Sequence, residues 1–547
     1  MLYTLHRYIL QELLRVFLLA LIALTLILSL GSILQPVQEY GAGPRQVLYF
    51  MFYFLPITLT FVLPMAALFA GTLVYGRFTS DNEFDACRAS GVSVLTLVLP
   101  GLFLAIIVAA ANLLLSFHVM PIFVHLAEKS FKADAKQLLF RGIEKKGFYD
   151  VPSEKNYQYL IYADQTDARN NTLYGVIVTK VKGSKIEEIV TAQSAQIKFI
   201  TRDNINEVQI NVYKPNRVGK SGEGGADHTL LTQEFGSILG DDIKFKTINE
   251  MKKIQIDLMQ FEPIAQLTRD TYAQLIIELL ANDIQKKTAE ATRLNGTNLE
   301  NVDHSNNFYE IPGEPNSVKF SLSQCNVEDD QVVLSGDIEV IELGSNEQPL
   351  HTYKCKEAAL RLEGDKFSPT ISMDLSNTRV IETGRTRMWY TIDNLNLPQT
   401  IEGIKNQFKT ENGSINCEKL SSKLTEIAGF QPGPTLTSLQ SRLHREIQKT
   451  RVEIKSEIHS RLVFGLGCVT MILIGIGLGI IKRGGHLLSA FGVSCIPAAV
   501  LIVCIMSGKQ LTENLSAQTV SGVTIMWAGL AFLCLLTVAI YGYLLKN

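Results

Sequence analysis

Few residues in this 547-residue chain have the types and spacing that chemistry requires. Gly219-Lys220-Ser221 has the tail of a phosphate-binding loop, in which backbone N–H groups and a lysine cradle phosphate oxygens. That loop needs a glycine five positions before Gly219, where Lys214 stands, and Gly222-Glu223-Gly224-Gly225 beyond it reads as a flexible turn. Gly475-Ile476-Gly477-Leu478-Gly479 hints at a dinucleotide fingerprint but lies inside a long apolar run. There, Gly475 and Gly479 at GxxxG spacing predict close packing of one membrane helix on another. His351 with Cys355 is a weak metal pattern, and the nine histidines include no HxxxH pair. No GxSxG nucleophile turn occurs either. The sequence therefore names no catalytic residue, no metal site and no cofactor site.

Two kinds of polar residue remain. Asn112 and His118 lie in an apolar run, where each is costly in lipid. A helix-to-helix hydrogen bond or an interfacial position accounts for both, and the absence of Asp and Glu from the apolar cores removes weight from proton-coupled transport. The loop from Gly76 to Gly91 says more. Ser80 or Asp81 can cap a helix, Glu83 and Asp85 in its first turn favour the dipole, Arg88 lies near its other end and Gly91 can stop it. Such a two-turn polar helix is a knob for a partner's groove, a solvated connector being the simpler alternative.

The elements that must position this knob are membrane helices. Spanning a bilayer takes about 20 mostly apolar residues, and six stretches qualify: Val16 to Leu34, Leu48 to Tyr75, Val94 to Val119, Leu462 to Ile481, Leu487 to Met506 and Val520 to Leu545. The first is long for a signal peptide and lacks a small-residue cleavage site, so it reads as a retained anchor. Arg7, Arg15, Arg77, Arg88, Lys482, Arg483 and Lys546 flank one set of helix ends, against Arg45 and Lys509 at the other. This asymmetry predicts cytoplasmic termini and a large extracytoplasmic middle region. The whole-chain balance of 51 Lys+Arg against 53 Asp+Glu gives no support to nucleic-acid binding.

After Pro121 the sequence changes to short alternating runs, among them Leu173 to Val181, Ile186 to Ile200, Glu207 to Tyr213 and Ile243 to Met259, which predict strands of a sandwich or jelly roll. Pro263 to about Arg293 reads as helix, and a second β-rich stretch includes Val318 to Leu322, Val332 to Ile341 and Thr370 to Leu375. Gly429 to Pro434 is a linker, after which Leu439, Leu443, Ile447, Ile454, Ile458 and Leu462 recur at helical spacing, with Arg442–Glu446 and Lys449–Glu453 at i,i+4. That helix runs into the fourth apolar segment, a stiff link to the membrane. Cys325, Cys355 and Cys417 could supply one disulfide if the middle region is extracytoplasmic, whereas Cys87, Cys468, Cys495, Cys504 and Cys534 lie in or beside apolar segments. The expected fold is thus a 3+3 membrane α-helical protein with a large extracytoplasmic all-β, jelly-roll-like domain between helices three and four. Its domains are 1–120 (with the connector helix at 80–91), 121–293, an additional β module at 294–434, and 435–547.

Ser80-Asp81-x-Glu83-x-x-Ala86-x-Arg88-Ala89-x-Gly91-Val92-Ser93 resembles the coupling helix of the LptF/LptG (YjgP/YjgQ) permeases of lipopolysaccharide export. Arg7-Tyr8 with Glu12-Leu13 and Phe17, Thr191-Ala192, and Glu457-Ile458-His459-x-Arg461-Leu462 with Lys482-Arg483-Gly484-Gly485 resemble other parts of that family. The resemblance implies the permease subunit of an ABC-type exporter in the bacterial inner membrane. Its implied partners are a homologous permease in a heterodimer or homodimer, a cytoplasmic ATPase dimer, and a periplasmic bridge protein of the LptC/LptA type; its implied cargo is lipopolysaccharide or a related lipid. It places Asp81, Glu83, Phe84, Arg88 and Gly91 in the ATPase-coupling helix, with Glu83 and Arg88 as charged contacts and Phe84 as an apolar anchor. Many members carry a basic residue toward the outer end of the first helix; here nothing basic lies between Arg15 and Arg45, so Arg45 and Lys509 are the candidate headgroup contacts. Residues from about Leu294 to Phe430 are surplus to the usual family length. A membrane-anchored envelope scaffold or signal transducer that transports nothing is the competing class.

Overall fold

The structure is a computed structural model that describes residues 2–40, 44–127, 140, 142–144, 146–151, 157–167, 169–182, 185–202, 205–219, 222–225, 228–235, 242–295, 308–321, 324–328, 330–344, 348–365, 368–381, 386–410, 415–427, 429–481, 487–513 and 519–546. Among the described residues, six helices are long and apolar enough to cross a membrane. They are α1 (Leu2–Tyr40), α2 (Pro44–Ser80), α4 (Val94–Leu114, continued by a π-helical turn Leu115–Val119), α9 (Pro434–Ile481), α10 (Leu487–Glu513) and α11 (Thr519–Lys546). The short α3 (Glu83–Ala89) joins α2 to α4. The chain divides into two compact units: Met1–Met251 with Val452–Asn547, and Lys252–Arg451.

In the first unit the membrane helices pack through residues whose type explains the packing. A proline inside a helix leaves the carbonyl four residues earlier without its N–H partner, which in lipid must be found elsewhere. Pro64 orphans the Thr60 carbonyl, and Asn112 Nδ2 of α4 donates to it at 2.5 Å. Pro100 orphans the Thr96 carbonyl, and His6 Nε2 of α1 donates to it at 3.0 Å. Asn112 therefore makes the helix-to-helix bond expected of it, while His118 is exposed in the π-helical turn. Small residues bring backbones together: a Cβ on Gly475 would lie 2.6 Å from Leu68 Cδ1, and one on Gly479 2.8 Å from the Thr72 carbonyl, so the GxxxG pair faces α2.

The same unit carries a curled, jelly-roll-like antiparallel sheet. Its strands are β1 (Phe148–Val151), β2 (Tyr157–Asp167), β3 (Thr172–Lys182), β4 (Lys185–Arg202), β5 (Ile205–Tyr213), β6 (Asn216–Gly219), β7 (Gly222–Gly225) and β8 (His228–Phe235). They run in the order β1-β2-β3-β4-β5-β8, with β6 also on β4 and β7 on β6. Leu173, Val176, Val178, Ile197 and Val212 turn to the apolar side and Tyr174, Ile177 and Tyr213 to the other. Leu173 and Val176, three apart, are both buried, and the break in alternation falls at Gly175, where φ is +60° and Asp164 fills the space a Cβ would need. Gly222–Gly225, expected as a flexible turn, is strand β7 paired with β6. Lys220 and Ser221 lie outside the described residues.

One expected strand is not a strand. Ile243 to Met259 forms a 3₁₀ turn (Ile243–Phe245), α5 (Ile248–Ile256) and a second 3₁₀ turn (Leu258–Gln260). A capping box decides it: Glu250 N–H donates to Thr247 Oγ1 at 3.2 Å, and Thr247 N–H donates to Glu250 Oε2 at 2.7 Å. Met251, Ile254 and Leu258 then share a buried helical face while Ile256 is 88% exposed, so an alternating Ile254/Ile256 pattern carried helical spacing as well.

In the second unit α6 (Glu262–Asn295) packs on a seven-stranded antiparallel sheet of β9 (Phe308–Ile311), β10 (Ser317–Ser321), β11 (Gln324–Glu328), β12 (Gln331–Leu343), β13 (Pro349–Asp365), β14 (Ser368–Val380) and β15 (Thr386–Leu395). Two short helices, α7 (Gln399–Gln407) and α8 (Cys417–Ser422), pack on α6 as well, which groups α6 with this sheet rather than with the first. Glu278 of α6 accepts the Gly433 N–H at 2.7 Å just before α9. Along α9 Glu446 pairs with Lys449 at i,i+3.

Cys325, Cys355 and Cys417 are all free and buried. Burial pushes their thiols up to about 12, 11 and 11 respectively. At pH 8 a thiol at about 11 is roughly one part in a thousand thiolate, the reactive form. A membrane-impermeant maleimide is therefore expected to leave these three unlabelled until the protein is unfolded; rapid labelling of any of them at pH 8 would contradict the packing.

Candidate functional site

Two clusters stand out, one at each end of the membrane bundle of the first unit. The first is α3. Helix α2 continues to Ser80, so neither Ser80 nor Asp81 caps α3; Asn82, at φ 59°, makes the turn between them without a side-chain cap bond. At the other end Gly91, at φ +84°, closes the helix as its position suggested. Val92 N–H donates to Cys87 O and Gly91 N–H to Arg88 O, the paired bonds of a Schellman motif. Ser93 then caps α4 by accepting from Thr96 N–H. Seven helical residues are thus fixed at both ends by backbone geometry alone.

Side-chain packing fixes how α3 is rotated. Phe84 is 1% exposed, its ring edge-on to Phe78 of α2 at 6.2 Å between centroids. Its ring points inward and pins α3 to α2; no part of it is offered to solvent. The outward face consists of Glu83, Ala86, Ala89 and Ser90, extended by Asp81 and Asn82, with Arg88 and Asp85 partly exposed. Beside it lies a cleft of about 230 Å³ lined by Tyr8, Glu12, Arg77, Asp81 and Glu83 among others. Glu12 of α1 bridges Arg15 at 3.0 Å and Arg77 of α2 at 3.1 Å, which ties α1 to the helix that carries α3.

In the second cluster the sequence assigns a role to Lys509 alone, as a candidate headgroup contact. Arg461 of α9, its side chain 3% exposed, uses four of its N–H directions on protein acceptors. Nε donates to Glu457 Oε1 at 2.9 Å, Nη1 to the Ser116 carbonyl at 2.8 Å and the Lys246 carbonyl at 3.2 Å, and Nη2 to the Lys244 carbonyl at 2.8 Å. The guanidinium also lies over the Phe117 ring, 5.6 Å from its centroid. Glu457 accepts a second cation, Lys509 of α10, and Trp527 of α11 donates to His459 Nδ1 at 3.3 Å. Lys509 is therefore already paired, with its side chain 31% exposed. Arg45 lies in α2, but its side chain is outside the described residues. The sequence signal for this cluster was Glu457 and Arg461 at i,i+4 where the charged half of α9 gives way to its apolar half; nothing in that spacing reveals the three carbonyl acceptors.

Neither cluster holds a nucleophile with a base, and among the described residues no group of three His, Cys, Asp or Glu side chains is placed to hold a metal. The arrangement suits mechanical work: a rigid polar knob at one end and a buried cross-brace at the other. A family model described as "Lipopolysaccharide export system permease LptF/LptG" matches residues 7–237 and 370–546, well over half of the chain. Comparison with curated proteins gives no match. The matched residues carry the six apolar helices and the first sheet, and 238–369 fall outside them.

Proposed function

The chain belongs to the LptF/LptG family of lipopolysaccharide export permeases, and from this premise we propose that it is the membrane subunit of an ABC-type exporter driven by a separate ATPase. In this proposal the termini and α3 lie in the cytoplasm, the β domains lie in the periplasm, and the protein resides in the inner membrane beside a homologous permease. The observation that carries it is α3 itself: a short helix fastened at both ends, anchored by Phe84, and presenting Glu83 with Asp81 on its exposed face. A handle of this kind transmits force from outside the chain, and the chain's one candidate phosphate loop fails at Lys214. Asp81, Glu83 and Arg88 form the ATPase contact, and Phe84 and Gly91 hold them in place.

On the cargo side, lipid phosphates meet Arg45 and Lys509. Lys509 is half-exposed, so an incoming phosphate competes with Glu457 for its ammonium. Acyl chains travel along the first sheet toward a bridge protein of the LptC/LptA type, which requires its buried apolar side, with Leu173, Val176, Ile197 and Val212, to open. Affinity purification of the full chain in mild detergent, with mass spectrometry of proteins and lipids, tests the whole proposal. The expected result is co-purification of a nucleotide-binding subunit without membrane helices, a second permease and lipopolysaccharide. Recovery of neither an ATPase nor a permease partner would overturn it.

A further inference from the structure

The three segments of the first unit that meet at Arg461 have one property in common. Ser116 lies in the π-helical turn that continues α4 toward the β domain, Lys244 lies within and Lys246 just after the 3₁₀ turn that follows β8 of that domain, and Arg461 stands at the start of the apolar part of α9. The outgoing chain, the returning chain and the fourth membrane helix are thus bonded to one guanidinium. A π-helical turn displaces backbone carbonyls from the regular α-helical ladder and often marks a functional position. Here the Ser116 carbonyl in that turn takes its hydrogen bond from Arg461, and Phe117 of the same turn supplies the ring beneath it. Glu457, paired with both Arg461 and Lys509, extends the brace to α10.

From this geometry we infer that Arg461 is a positioning residue: the joint that delivers displacement of α9 and α10 to the two strands of chain rooting the first β domain. The inference rests on the proposed export function for its cargo but not for its geometry. Arginine is required because the planar fork reaches three carbonyls and one carboxylate at once, which a lysine ammonium on a single flexible stem does not. A residue that merely stabilised the fold would lower the amount of protein, and ATP hydrolysis and lipid release would fall together. A joint lowers the lipid released per ATP hydrolysed.

The experiment uses the full chain in its complex with the co-purifying ATPase, as wild type, R461K and E457Q. R461K is expected to assemble and hydrolyse ATP at close to the wild-type rate but to release about tenfold less lipid per ATP, the scale of coupling that such networks carry. E457Q keeps the three carbonyl bonds while weakening the link to α10, and is expected to release more lipid per ATP than R461K but less than the wild type. Normal release per ATP in R461K, or a matched fall in release and hydrolysis, overturns the inference. A second measurement needs no cargo: hydrogen exchange on the same chains in detergent. Faster exchange at residues 115–119 and 242–247 in R461K, with the rest of α9 unchanged, supports the joint; unchanged exchange there overturns it. Absence of lipid release by the wild type counts against the export function and leaves the exchange measurement to decide the joint.

Discussion

Glu83→Ala is expected to abolish lipid export while leaving the protein in the membrane at its normal level. Glu83 is exposed, and its contribution to the fold is a first-turn carboxylate on a short helix, about 0.3–1 kcal/mol. That is too little to unfold a helix fastened by Phe84 on one side and by the Gly91 turn at its end. As one half of a desolvated interfacial charge pair, the same carboxylate is worth roughly 2–5 kcal/mol when its partner is left behind, a loss of about thirtyfold or more in affinity. The two effects differ enough to separate. Arg88→Ala, on the partly exposed side of α3, should have the same phenotype, whereas Phe84→Ala removes a buried ring, costs about 3–5 kcal/mol and should act by loosening α3 itself. Export and recovery of the ATPase are measured against membrane level of the chain. Normal export in both Glu83→Ala and Arg88→Ala would remove α3 as the coupling element.

Much of this was legible in the chain because bilayers impose length and because strands impose period. Apolar runs of spanning length located the six membrane helices, and GxxxG spacing in the fourth located a helix contact, although not that Thr72 and Gly76 of α2 are what it meets. Alternation found β3, β4, β5, β10, β12 and β14, since one face of each strand is buried. It failed at Ile243 to Met259, where Ile254 and Ile256 satisfy period two and Met251, Ile254 and Leu258 satisfy the helical period; the Thr247/Glu250 capping box was the deciding signal and lay in plain sequence. The connector was recognised by its residues, but which way it faces was not. Glu83 and Phe84 are adjacent, and only packing against Phe78 says which of them meets solvent. The brace at Arg461 was the least legible, because its partners are backbone carbonyls of residues 116, 244 and 246, and a carbonyl has no letter in a sequence.

Gly479→Leu is expected to remove most of the protein from the membrane, and Gly479→Ala to leave it there with impaired export. A Cβ at Gly479 would stand 2.8 Å from the Thr72 carbonyl and 3.2 Å from the Gly76 nitrogen, both backbone atoms that no rotamer change can move. Relief requires α9 and α2 to separate. Overpacking of this kind costs about 1–3 kcal/mol or more even when side chains can shift, and a leucine here has no such escape. Association of helices in lipid relies on this close approach, since burial from water is not available as a driving force. Separation also has a functional consequence: Gly76 lies four residues before the end of α2, the helix that carries α3 through Phe78 and Phe84. Alanine, with a single methyl, should therefore shift α3 before it unfolds the bundle, so that export falls further than protein level. Gly542→Leu on α11 is the control, because among the described residues nothing lies within 4 Å of its Cβ position, and its level should match wild type. If Gly479→Leu accumulates in the membrane as well as Gly542→Leu does, the close crossing of α2 and α9 is not what holds this half of the protein together.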